Sequence, residues 1–92
     1  MSISLPSRVD VSEDVLFQEL EGEAVLLNLK TERYYGLDAV GTRMWQLITA
    51  EGDVGAAFEQ LSQEYAVAPE VLRQDMAALI AKLSEVGLLT VR

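Results

Sequence analysis

The hydrophobic pattern of this chain changes period once, at Asp38, and that change constrains the fold more than any other feature. Before it, Val15-Leu16-Phe17-Gln18-Glu19-Leu20 and Ala24-Val25-Leu26-Leu27-Asn28-Leu29 are short apolar runs parted by Glu21-Gly22-Glu23. Runs of that length, with β-branched and aromatic side chains around a glycine, predict a β-hairpin. Lys30-Thr31-Glu32 then turns the chain into Arg33-Tyr34-Tyr35-Gly36-Leu37. The product is a three-stranded antiparallel meander whose third strand lies at an edge. After Asp38, itself a helix-capping residue type, apolar positions recur at helical spacing. Val40, Met44, Trp45, Leu47 and Ile48 mark a first helix closed by Gly52, and Asp53 caps a second that carries Val54, Ala57, Phe58, Leu61 and Tyr65. Pro69 suits the first turn of a third helix, where its missing N–H has no partner to lose. That helix carries Leu72, Met76, Leu79, Leu83 and Val86 as a stripe and ends at Gly87, before a short terminal strand or its stub in Leu88-Leu89-Thr90-Val91.

The predicted class is α+β and winged-helix-like: a three-stranded antiparallel sheet followed by three helices. Residues 1–14, with Pro6 and scattered polar groups, are expected to form an N-terminal arm, and 15–92 a single domain. With 92 residues there is little room for a second core, and no repeat or low-complexity tract divides the chain.

Composition narrows the function. The chain has no cysteine and no histidine, which removes thiol nucleophiles, zinc-thiolate sites and every imidazole general base. Ser62, Ser84 and Thr42 are left with nothing to activate them, so no catalytic residue is expected. Glu19, Glu21 and Glu23 alternate around a turn, a placement typical of solvated surface rather than of a metal site, and no metal or cofactor is expected. Fifteen Asp+Glu against seven Lys+Arg give a net charge of −8, which repels phosphate backbones and anionic lipid. On the third helix Arg73, Gln74 and Lys82 are offset by Glu70, Asp75 and Glu85, so a DNA-recognition helix is rejected. The apolar runs are too short to span a bilayer, and the first residues lack the basic and apolar regions of a secretory signal. The expectation is a soluble, cytoplasmic, non-enzymatic binding module with neither nucleic acid nor membrane as partner.

The remaining feature is Tyr34-Tyr35 on the edge strand. Neighbouring strand residues point to opposite faces, so one tyrosine faces the core and the other is available. An unblunted edge invites another strand, and an extended peptide can add to it through backbone hydrogen bonds. The third helix is the natural far wall of such a groove. The expected peptide-binding set is Glu32, Arg33, Tyr34, Tyr35 and Gly36 from the strand, with Arg73, Asp75, Met76, Ala77 and Ile80 from the helix. Met76 and Ile80 would form an apolar pocket with Arg73 at its rim. If Ile80 is core instead, the opposite flank around Asp75 and Lys82 becomes the candidate.

The segments Val25-Leu26-Leu27-Asn28-Leu29 and Tyr34-Tyr35-Gly36-Leu37-Asp38-Ala39-Val40-Gly41-Thr42-Arg43-Met44-Trp45 resemble the PqqD-like proteins, also called RiPP recognition elements. The Ala56–Tyr65 and Asp75–Leu83 helices and the closing Gly87-Leu88-Leu89 fit the same series, from about Val9 to the C-terminus. Asp38 stands where the family often has Asn, a swap that still caps a helix. The resemblance implies a domain that grips the leader segment of a ribosomally made precursor peptide as an extra strand, between the third strand and the third helix. The chain looks most like the leader-binding half of a split lasso-peptide B protein. The partners this implies are a leader peptidase (a transglutaminase-like cysteine protease) and an asparagine-synthetase-like cyclase. The alternatives are a PqqD-like peptide chaperone of pyrroloquinoline quinone synthesis, or a generic protein-interaction domain.

Overall fold

A computed structural model describes residues 5–91. Strands β1 (Val9–Val11), β2 (Val15–Leu20), β3 (Glu23–Asn28) and β4 (Arg33–Leu37) precede helices α1 (Ala39–Glu51), α2 (Val54–Glu64) and α3 (Pro69–Glu85), and β5 (Leu89–Val91) closes the chain. The expected meander is present in the order β2-β3-β4, all antiparallel. Its first turn places Glu21 and Gly22 at φ 55° and 85°. Two left-handed residues between paired Leu20 and Glu23 give the turn the twist that antiparallel strands require.

One difference from the sequence reading lies at the N-terminus. Within the stretch expected as an arm, β1 pairs antiparallel with β5, Val9 opposite Val91 and Val11 opposite Leu89. Val9 is buried, and its N–H donates to the Gly52 carbonyl at 3.0 Å. A three-residue strand carries no readable periodicity, so pairing between the two ends of the chain was invisible locally.

The helices begin where polar side chains can accept orphan N–H groups. The Asp38 carboxylate accepts from Gly41 N at 2.7 Å and that of Asp53 from Ala56 N at 3.1 Å. Gly52, at φ 72°, ends α1 in the left-handed conformation. The core forms between the inner face of the sheet (Ala24, Leu26, Leu37) and the apolar faces of α1, α2 and α3. Trp45 of α1 stacks on Phe17 of β2 with ring centroids 6.5 Å apart. Arg43 and Glu64 tie α1 to the end of α2 through an ion pair at 2.7 Å.

The stripe on α3 is centred differently from the expected one. Leu72, Met76, Ile80 and Leu83 are buried, while Leu79 and Val86 are only partly so. At about 100° per residue, the core-facing line is turned toward Ile80 by less than one residue step. Contacts with both α2 and β5 draw it that way.

Candidate functional site

Strand β4 pairs with β3 along one edge and with no strand among the described residues along the other. Register fixes which way its side chains face. Tyr35 lies opposite fully buried Leu26 and is half-buried, whereas Tyr34 lies opposite Leu27 on the outer face and is 76% exposed. Thus Arg33, Tyr35 and Leu37 share the inner side with α3, and Tyr34 and Gly36 share the outer side.

Between the open edge of β4 and α3 run two cavities that meet at Tyr35. One, of about 610 Å³, lies between Tyr35-Gly36-Leu37-Asp38 and Asp75, Ala78 and Leu79, with Val40, Gly41 and Met44 of α1 below. The other, of about 470 Å³, lies between Glu32-Arg33-Tyr34-Tyr35 and Lys82 and Val86, with Leu88 behind. A larger depression of about 830 Å³ crosses the sheet near the β2–β3 turn and shares Gly36, Leu37 and Asp38 with the first. It continues the groove rather than competing with it.

The strand residues expected at the site, Glu32 through Gly36, all line one cavity or the other. The helix residues divide. Asp75 lines the groove. Met76 and Ile80 do not: at 0% and 2% exposure they are core, because the turned stripe of α3 points them at the interior. Arg73 is not at the rim either. Its guanidinium lies 5.0 Å from the centroid of the Phe58 ring, a cation–π contact that directs it toward α2. Ala77 lines neither cavity. The groove's helix wall is the opposite flank, Asp75, Ala78, Leu79, Lys82 and Val86. These five occupy one continuous arc of the wheel beside the buried stripe.

Sequence reasoning missed the residue that holds the two walls together. Asn28 continues the inward-facing series Ala24, Leu26 and is 5% exposed. Its Oδ1 accepts from Lys30 N at 3.0 Å and Thr31 N at 3.2 Å, ordering the turn before β4. Its Nδ2 donates to the carbonyls of Val86 and Gly87 at 3.5 and 3.4 Å, where α3 ends. Gly87 sits at φ 79°, and a Cβ there would stand 3.2 Å from that same nitrogen. At the other end, buried Thr42 Oγ1 donates to the Leu37 carbonyl at 3.4 Å and fixes the end of β4 to α1. The readable signal was parity: an amide in the core-facing register of an apolar strand needs polar partners.

Geometrically, this is an unpaired backbone edge alongside an apolar-floored trough, with charged groups at its rim. Such an edge can accept an extended chain. Among the described residues no group of carboxylates is placed to hold a metal ion, and no helix is long and apolar enough to cross a membrane.

Comparison with known proteins agrees with that architecture. The model of the family described as coenzyme PQQ synthesis protein D (PqqD) matches residues 23–89, and the chain belongs to this family. It is 29% identical over 90 residues to the PqqA binding protein of Bradyrhizobium diazoefficiens strain USDA 110, covering 98% of this chain and 87% of that protein. Among solved structures it is similar to TbiB1 in complex with the TbiA(beta) leader peptide, with a TM-score of 0.81 and 31% identity over 87% of this chain and 93% of that one. A lasso peptide synthetase B1 complexed with a leader peptide superposes with a TM-score of 0.80, covering 90% of this chain and 98% of that one. At 20% identity, it speaks for the fold alone.

Proposed function

We propose that this chain is a non-catalytic peptide-binding module. It takes the leader segment of a ribosomally made precursor as an additional strand on β4, held from the other side by α3. The observation that carries this reading is the open β4 edge facing the Asp75–Val86 flank across a continuous groove. Backbone hydrogen bonds supply affinity tolerant of sequence, and the two cavities supply selectivity through alternate side chains. The likeness to TbiB1 bound to a leader supports the same reading.

The domain then serves as the leader-binding component of lasso-peptide maturation. It delivers the precursor to a transglutaminase-like leader peptidase and an asparagine-synthetase-like cyclase in the cytoplasm. A second reading, capture of the peptide that gives rise to pyrroloquinoline quinone, is favoured by the family match and by the PqqA binding protein among its relatives.

Titration with two peptides, the TbiA(beta) leader and PqqA, separates them. Saturable binding of the TbiA(beta) leader in preference to PqqA supports the lasso assignment, and the reverse preference supports the alternative. Failure of both to bind overturns the peptide-binding proposal.

A further inference from the structure

The two halves of the groove differ in charge. The half beside α1 presents Asp38 and Asp75 over an apolar floor, and the half beside the α3 C-terminus presents Arg33 and Lys82 with Glu32 as the one acid. Asp75 and Lys82 are seven residues apart, two helical turns, so they lie on one flank about 10 Å apart along the axis. The Arg43–Glu64 ion pair lies elsewhere, and neither Asp75, Lys82 nor Arg33 has a charged partner among the described residues. In a chain with only seven Lys+Arg, two such cations stand at one end of a groove whose other end carries two carboxylates.

We propose that this polarity selects the register and direction of the bound peptide, an inference that rests on the strand-addition reading above. A ladder of backbone hydrogen bonds alone tolerates slippage by two residues and pairs in either direction. Charge removes that freedom. The existing sheet is antiparallel throughout, and an added strand antiparallel to β4 runs from Leu37 toward Arg33. In that direction the peptide meets Asp38 and Asp75 first. The recognised segment therefore carries a Lys or Arg followed, toward its C-terminus, by an Asp or Glu. Both side chains must point to the α3 side, so their spacing is even. The separation of Leu37 from Arg33 sets it at four residues, about 13 Å along a strand. Apolar side chains between them fill the space around Tyr35. The long stem of Lys or Arg packs on Met44 and Leu79, with its charge at the carboxylate rim.

The test uses two synthetic 13-residue peptides of identical composition, alternating Val and Thr. One has Lys at position 5 and Glu at position 9, and the other has these exchanged. Their net charges are equal, so long-range attraction to the −8 chain cancels. The Lys-first peptide is expected to bind roughly tenfold more tightly, because one order sets two partly exposed attractions where the other sets two repulsions. The preference should shrink with salt. In the double variant Asp75→Lys/Lys82→Asp, with its fold checked by circular dichroism, Asp38 and Arg33 leave each half with charges of both signs, and the preference should be lost. Equal binding of the two peptides to the native chain, or an unchanged preference in the double variant, overturns the inference while leaving strand addition intact. A groove that takes the TbiA(beta) leader but neither designed peptide overturns it as well. If none of the three protects β4 amides, the strand-addition reading falls, and this inference with it.

Discussion

Helix α3 has two flanks with apolar residues at helical spacing and opposite roles. One, Leu72, Met76, Ile80 and Leu83, is buried and holds the helices to the sheet. The other, Asp75, Ala78, Leu79, Lys82 and Val86, is open or half-open and faces β4 across the groove. Both contain apolar residues at helical spacing. What separates them is the neighbour: α2 and β5 close over the first, while the second faces the unpaired edge of β4 across a groove that α1 floors at one end. The proposed binding wall is a flank of core helix that the other described elements leave uncovered.

The largest effect should come from exchanging those roles. Ile80→Asp places a carboxylate where exposure is 2%, and the variant should be unfolded at neutral pH, because even truncation of such a side chain costs about 2–5 kcal/mol of a total near 5–15. Ala78→Asp, on the open flank, should fold normally. Urea denaturation of the pair makes the comparison, and a folded Ile80→Asp would break it. Next comes the amide that keeps the flanks in register with β4. Asn28→Leu strands the N–H groups of Lys30 and Thr31 and should cost about 1–3 kcal/mol in the same assay. It should also weaken leader binding, because the α3 end of the groove is no longer tied to the turn before β4.

A third pair sharpens the contrast by binding rather than stability. Ala78→Trp fills the trough and should lower affinity for the TbiA(beta) leader by about tenfold or more while changing stability by less than about 0.5 kcal/mol. Arg73→Ala should do the opposite, losing about 0.5–1 kcal/mol with its contact on Phe58 and leaving affinity unchanged. Isothermal titration beside thermal melts separates the two.

The smallest effect concerns acid. Hydrogen bonds from Arg43 and Gln60, with the charge of Arg43 behind them, hold the Glu64 carboxyl at about 2 against an ordinary 4.5. A carboxyl that titrates lower in the folded chain stabilises it above about pH 4.5, and that contribution is lost as pH falls toward 2. Glu64→Gln should therefore flatten stability against pH slightly in that window and leave it unaltered in slope at neutral pH. The site is well exposed, so the difference is small. Melting temperatures from pH 2 to 7 measure it.

How much of this was legible in the sequence follows from the range of each interaction. Asp38, Gly52, Asp53 and Pro69 act within a few residues of themselves, and the boundaries they predict for the helices are those observed. The meander was readable because alternation and turn residues are local too. The centring of α3 was not. Met76, Leu79, Ile80 and Val86 are all apolar, so a wheel gives the width of the stripe and leaves its midpoint to whatever packs against it. Asn28 was overlooked for a related reason, since its carbonyl partners just past the end of α3 lie 58 and 59 residues away. The β1–β5 pair joins the two ends of the described chain. The strand wall of the groove could be read from one short segment, whereas the helix wall required knowing what covered its other side.

The central claim is that β4 receives an added strand while only the open flank of α3 responds. Residue-resolved amide exchange and methyl spectra of the chain, recorded with and without the TbiA(beta) leader, test both halves in one experiment. β4 amides directed away from β3 should exchange more slowly when the peptide binds. The methyl signals of Leu79 and Val86 should move, and those of Met76 and Ile80 should stay in place. A peptide that binds while β4 exchange is unchanged, or that shifts Met76 and Ile80 and spares Leu79 and Val86, would contradict the account.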